Sequence, residues 1–281
     1  MTKPARQAAA RKAGPRGVGK QPLGVQSVEQ GVRVLAALMA IGKPAILQAV
    51  AEQAGMPPPK ALRYLVSSCR TGVTVQNPAT GAYWLGPFAV QLGLTALRRL
   101  NVVDMIAPEL AAMRDTLQCT IGLSIWGDSG PTFIKVEEVD NVAVITVRVG
   151  AVMPIVSSAT GRVYGAFKSP QLIEPMLHAE LPTARLESSL RAPGRKPTLA
   201  AVQAMLAAVR KNGIARVTGE MNVGVHALAV PVFDHTGKIA AAISAMGGAG
   251  AFDASFDGPV AQLLLQRAGA FSARLGNQAG G

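Results

Sequence analysis

The stretch Val73-Thr74-Val75-Gln76-Asn77-Pro78-Ala79-Thr80-Gly81-Ala82-Tyr83-Trp84-Leu85 decides the fold of the first third of the chain. Two strand-like pieces, Val73 to Gln76 and Tyr83 to Leu85, flank the turn formers Asn-Pro and Thr-Gly, which predicts a hairpin. What precedes it is helical. Ser27-Val28-Glu29-Gln30 reads as a capping box, and Val28, Val32, Leu35 and Met39 follow it as one apolar stripe. Gly42 and Pro44 end that helix. A second runs from about Ile46 to Ala54, burying Ile46, Val50 and Ala54, and Gly55 supplies the turn after it. The third begins near Pro59, because proline is tolerated only in a helix's first turn, and carries Ala61, Leu62, Leu65 and Val66 to about Cys69. Three helices and a hairpin outline a winged helix-turn-helix.

The charge distribution agrees. Of a formal net charge of +12, residues 1–100 contribute 13 Lys and Arg against only Glu29 and Glu52, while residues 101–281 are nearly neutral. A positive field concentrated in this way attracts phosphate backbones. In a helix-turn-helix the second helix of the motif enters the major groove and its N-terminal residues reach base edges. Here those residues are Pro59, Lys60 and Arg63. Lys43 and Gln48 are placed to hold phosphates, and Arg70, Tyr83 and the hairpin tip at Asn77–Gly81 to reach the neighbouring backbone. Residues 1–24 are basic and rich in Pro and Gly, the pattern of a flexible arm or an unstructured tail; they lack the apolar core of a secretory signal.

From Pro87 to about Leu100 a further helical stretch, with Val90, Leu94 and Leu97 on one face and Arg98-Arg99 at its end, reads as a linker. Beyond it, a helix over Met105–Leu117 opens a second domain. Strand-like runs follow at Thr120–Trp126, Thr132–Val136, Val142–Val149, Ala227–Phe233 and Lys238–Ala245, the last two joined by a turn at Asp234-His235-Thr236-Gly237. Helical runs fall at Gly161–Phe167, Leu172–His178, Leu199–Asn212 and Gly258–Leu275. Strands mixed with helices in this order imply an α+β fold with a central antiparallel sheet. The expected divisions are an arm 1–24, a winged helix 25–86, a linker helix 87–103, a second domain 104–276 and a tail 277–281.

Several function classes find no support. The cysteines, Cys69 and Cys119, and the histidines, His178, His226 and His235, are scattered singly, so neither a zinc site nor a disulfide framework is suggested and a reducing cytoplasm is expected. Gly247-Gly248-Ala249-Gly250 lacks the Lys-Ser/Thr of a phosphate loop, and no Ser/His/Asp arrangement presents itself. The reading is therefore of a protein that is not an enzyme, needs no cofactor and does not enter membranes.

The pieces Ser27-Val28-Glu29-Gln30-Gly31-Val32, Gly55-Met56-Pro57 and Gln76-Asn77-Pro78-Ala79-Thr80-Gly81-Ala82-Tyr83-Trp84-Leu85-Gly86 resemble the IclR (isocitrate lyase regulator) family of bacterial transcription factors. The resemblance continues through Met153-Pro154-Ile155, Ala159-Thr160-Gly161-Arg162, Glu220, Val230-Pro231-Val232 and Ala242-Ile243-Ser244-Ala245-Met246-Gly247, covering about Val25 to Gly276. It implies an N-terminal winged helix on double-stranded DNA, a C-terminal effector domain resembling a GAF or PAS sheet, and a homodimer or homotetramer that represses or activates. Carried over by position, the family's effector pocket falls on Met153, Ala159, Thr160, Ala227, Ser244 and Met246. Backbone amides near Gly161 would receive a carboxylate, and His226 and Arg216 would serve as counter-charges.

The chain departs from the family pattern at telling positions. Pro58-Pro59-Lys60 stands where a hydroxyl-bearing run usually opens the recognition helix, and Leu62 where a polar residue is common; Arg63 matches. Val156, Ala227 and Met246 each replace a polar residue of the family's effector domain. This loss implies a greasier effector than a two- or three-carbon oxo-acid, such as an aromatic acid. The alternative is a second domain that only oligomerises and holds no ligand.

Overall fold

Both halves of the chain are built around a helix or sheet face that the sequence makes apolar, and they form two compact units, 1–99 and 100–281. The computed structural model describes residues 24–97, 101–139, 147–186 and 196–277. The basic arm up to residue 23, Arg98-Arg99-Leu100, most of the expected strand at Val142–Val149 and the tail from residue 278 lie outside the described residues.

In the first unit α1 (Gln26–Ile41), α2 (Leu47–Gln53) and α3 (Pro58–Arg70) precede β1 (Thr74–Gln76) and β2 (Tyr83–Leu85), which pair antiparallel with Thr74 opposite Leu85. Pro57 caps α3, so the proline run opens the helix one residue earlier than expected. Gly55 turns the chain between α2 and α3 at φ +62°. The hairpin turn is held by the Asn77 side chain, whose Oδ1 accepts from the Ala79 amide at 2.9 Å. α4 (Pro87–Leu97) follows.

Two expectations for α1 are corrected. Its N-cap is Val25, with no side-chain cap, and Ser27 already lies inside the helix, so no capping box forms. Its buried face is Val34, Ala37 and Leu38, whereas Val28, Val32 and Met39 are exposed. The helix is apolar on more than one side, and spacing alone cannot choose which side packs. Ile46, expected in the core, is the exposed N-cap of α2.

In the second unit the expected helix Met105–Leu117 is broken. Pro108 lacks the N–H a continuous helix needs, and the chain forms α5 (Val102–Ile106), a 3-10 turn (Ala107–Glu109) and α6 (Leu110–Leu117). β3 (Thr120–Gly127), β4 (Gly130–Glu137), β5 (Ala215–Thr218), β6 (Val225–Phe233) and β7 (Ile239–Gly248) make one antiparallel sheet in the order β4-β3-β7-β6-β5. The four-residue β5 was not anticipated. α7 (Ala159–Phe167), α8 (Pro170–Glu180), α9 (Leu199–Asn212) and α10 (Pro259–Arg274) complete the described elements.

Strand alternation divides the sheet's two faces. Leu228, Val230, Val232, Ile243 and Ala245 join α6 and α10 in one core. Ala229 and Ala242, on the opposite face, meet Val163 and Tyr164 of α7. Among the described residues no helix is long and apolar enough to cross a membrane, and no cluster of three His, Cys, Asp or Glu could hold a metal.

Candidate functional site

On the first unit, Lys43, Gln48, Pro59, Lys60, Arg63 and Arg70 are all exposed. Ala61 and Leu65 anchor α3 to α1 and α2, which turns Arg63 outward one turn beyond Pro59. Val66 and Ser67 share that outward side, and Leu62 flanks it. Leu62 and Val66, which the sequence carries on the same helix as Ala61 and Leu65, are each more than a third exposed, because the helix buries a narrower face than its apolar content suggests. Tyr83 is corrected. Its ring is 4% exposed within the core of this unit, and its backbone bridges to Ala45, so it cannot reach a neighbouring phosphate. Burial also pushes its phenol above the ordinary value.

On the second unit, the loop before α7, the start of α7 and the ends of β5, β6 and β7 line a cavity of about 110 Å³. Five of the six expected residues line it: Met153, Ala159, Thr160, Ala227 and Met246. The last two are cross-strand partners on β6 and β7, so alternation points both side chains to the same face. Ser244 is the exception. It lies two residues along β7 from Met246, fully buried, and its hydroxyl bonds that of Thr160 at 2.7 Å. Ser244 therefore stands behind Thr160 and does not line the cavity.

Sequence reasoning missed Ser158, Val217, Met221, Asn222 and Val225, which also line it. Ser158 sat beside a quoted motif, and a period-two pattern over Ala215–Thr218 was the signal for Val217. The loop bearing Met221 and Asn222 follows no periodicity and left no signal.

The electrostatics are sparse, since among the described residues the lining carries no charged side chain. Ser158 caps α7: its Oγ accepts from the Gly161 amide at 2.8 Å and donates to the Pro154 carbonyl at 2.7 Å. The Gly161 amide is thus already occupied, which corrects its expected role as a carboxylate receiver. The helix opens earlier, at Ala159 and Thr160, whose first-turn amides have no partner within the helix. Arg216 and His226 are not brought to the cavity; Arg216 lies over the Phe256 ring, 4.8 Å from its centroid.

Arg162, Glu180, Tyr164 and Gly161 fix the cavity wall. Arg162 pairs with Glu220 at 2.9 Å, both nearly fully buried, and its Nε donates to the Val156 carbonyl at 2.8 Å. Glu180 accepts from the Ile155 and Val156 amides at 2.8 and 2.9 Å, tying that loop to α8. Tyr164, its phenol kept neutral by burial, donates to the Ser124 carbonyl at 2.8 Å and docks α7 on β3. Gly161 lets the Pro154 carbonyl approach α7 where a Cβ would stand.

The first unit thus presents an exposed, basic helix face and the second an apolar cavity. Residues 94–273, well over half the chain, match the family described as "Bacterial transcriptional regulator IclR C-terminal". The DNA-binding transcriptional repressor YiaJ of Escherichia coli (strain K12) is 28% identical over 229 residues, 80% of this chain and 79% of its own length. The crystal structure of Pseudomonas aeruginosa HmgR superposes with a TM-score of 0.81 at 34% identity, over 91% of this chain and 100% of that one. An IclR homolog from Microbacterium hydrocarbonoxydans, solved in complex with 4-hydroxybenzoate, shares the fold at 20% identity and a TM-score of 0.53, over 89% of this chain and 98% of its own. Its relatives are named as regulators, not enzymes. The chain belongs to the IclR family of bacterial transcriptional regulators.

Proposed function

We propose that this regulator binds an operator through α3 and the hairpin, and that a small aromatic acid in the Met153–Met246 cavity modulates its affinity. The observation that carries the effector reading is the cavity itself: apolar, and lined by five of the six residues to which the family pattern pointed. A cavity of this order accepts a single ring, as engineered apolar cavities of similar size bind benzene. The Thr160–Ser244 pair uses one hydroxyl hydrogen between two oxygens; with Ser244 as its donor, the Thr160 hydroxyl is left to orient a ligand. The first-turn amides of α7 suit the carboxylate. The neighbour solved with 4-hydroxybenzoate supports this chemical class.

The regulator is proposed to act as a homodimer or homotetramer. Exposed apolar side chains on α1 (Val28, Val32, Met39) and α4 (Val90, Leu94) support association, since single chains rarely leave such faces in water. Effector binding then shifts the population between arrangements that space the paired heads differently, and the operator half-sites select one of them.

Two measurements test the proposal. Footprinting on selected genomic fragments should show a palindrome protected by the wild type and lost in Arg63→Ala. That change should cost about 1–3 kcal/mol at salt where non-specific binding has faded. Uniform, salt-labile binding indifferent to Arg63→Ala would sink the assignment of α3. Calorimetry with 4-hydroxybenzoate should show binding that Ala227→Phe abolishes by filling the cavity. Binding of glyoxylate or pyruvate without any aromatic acid would refute the chemical class, and no binding by any acid would favour a second unit that only oligomerises.

A further inference from the structure

The outward side of α3 is more specific in its chemistry than its charge alone conveys. Ala61 and Leu65 mark the helix's buried face. At about 100° per residue, the side opposite them divides into three strips. Arg63 and Arg70 form a central ridge, Lys60 and Ser67 lie on one flank, and Pro59, Leu62 and Val66 lie on the other; each of these residues is exposed. Leu62 and Val66, 38% and 39% exposed, stand one turn apart. The strips are chemically one-sided. Pro58–Arg70 contains no Asn, Gln, Asp or Glu. Tyr64 packs against the core. The Ser67 hydroxyl donates to the Arg63 carbonyl at 3.0 Å, and the Ser68 hydroxyl to the Tyr64 carbonyl at 2.8 Å. What faces outward is therefore strong donors at Lys60 and Arg63, and methyl groups at Leu62 and Val66.

We infer that Leu62 and Val66 read thymine methyl groups in the major groove, so that each half-site is specified by guanine and thymine together and not by guanine alone. The inference rests on the proposed operator reading of α3 and adds the base chemistry to it. Donor side chains match guanine O6 and N7, and aliphatic groups match the thymine C5-methyl. The helix lacks the amide that pairs with adenine N6 and N7, and the carboxylate that accepts from cytosine N4. The basic ridge beside the apolar flank says what covers that flank. Phosphates drawn to the cations seat α3 against the duplex, and Leu62 and Val66 then lose water against a methyl. Four residues of helix advance about 6 Å, and base pairs follow one another at about 3.4 Å. The two thymine-bearing base pairs therefore stand about two steps apart.

The test uses the full chain and a DNA duplex carrying the half-sites that footprinting recovers. Each thymine in turn is replaced by deoxyuridine, which removes the methyl and keeps both the base pairing and the O4 acceptor. Affinity is measured for the wild type, Leu62→Ala and Val66→Ala at salt where non-specific binding has faded, with circular dichroism to establish that each is folded. Both side chains already stand partly in water, so truncating them does not open the core. Deoxyuridine at one or more thymines should weaken wild-type binding roughly fourfold, the worth of one buried methyl, and should leave unchanged the variant that lacks the matching side chain. A site lost in Arg63→Ala that has no thymine in its half-sites, or is indifferent to every deoxyuridine, overturns this inference and leaves the operator reading standing. A methyl effect that both variants retain in full also overturns it, because another element then reads the methyl. Uniform binding unaffected by Arg63→Ala removes the operator reading and this inference with it.

Discussion

Arg162→Met should destabilise the second unit by about 3–5 kcal/mol, the usual cost of removing one partner from a buried ion pair. The Arg162 and Glu220 side chains are 6% and 2% exposed, and their 2.9 Å contact joins α7 to the turn after β5. The same guanidinium also donates to the carbonyls of Val156 and Arg216. Methionine fills much of the volume but leaves a buried carboxylate with the Thr218 amide and two carbonyls without this donor. For a unit of this size the loss corresponds to a fall in melting temperature on the order of 10 °C. The double variant Arg162→Met/Glu220→Leu should recover part of it, because the charge left behind causes most of the damage. Thermal unfolding followed by circular dichroism decides the matter: a shift of only one or two degrees in Arg162→Met would show that the pair does not hold the two segments together.

Gly161→Ala should cost about 3 kcal/mol, at the upper end of the range for overpacking, and should abolish ligand binding in the first cavity. The added methyl would fall on the carbonyl of Pro154, with the Ile155 Cα 2.7 Å away. Both are backbone atoms that no rotamer change can move. The loop is further tied to α8 by Glu180, so the strain must displace the start of α7, carrying Ala159 and Thr160 off the cavity wall. Gly269→Ala on α10 is the control. No atom lies within 4 Å of its added methyl, and it should stabilise by about 0.5–1 kcal/mol as a helical glycine replaced by alanine. Stability and 4-hydroxybenzoate titrations on the two variants should therefore move in opposite directions in melting temperature. An unchanged Gly161→Ala protein would mean that the loop and helix separate easily.

Local chemistry settled much of this protein in advance. The turn residues Asn77 to Gly81, the prolines that confine the start of α3, and the Leu199–Asn212 periodicity each specify their element through the backbone, whatever surrounds it. Motif order placed Met153, Ala159, Thr160, Ala227 and Met246, and the fold draws these distant segments into one cavity through antiparallel register.

Tertiary structure decided the rest, because it depends on which faces meet. α1 is apolar on two sides, and only packing against α2 and α3 selects Val34, Ala37 and Leu38 over Val28, Val32 and Met39. Tyr83 reads as an exposed aromatic at a strand start, yet the bridge to Ala45 turns it into the core. Ser244 and Met246 share a sheet face, but the depth at which α7 crosses that face places Thr160 over one and open space beside the other. β5 is too short for its alternation alone to specify a strand, and it pairs along its four residues with the edge that β6 offers. Periodicity fixes a residue's direction along its own element; burial and function depend on what the neighbouring element brings to meet it.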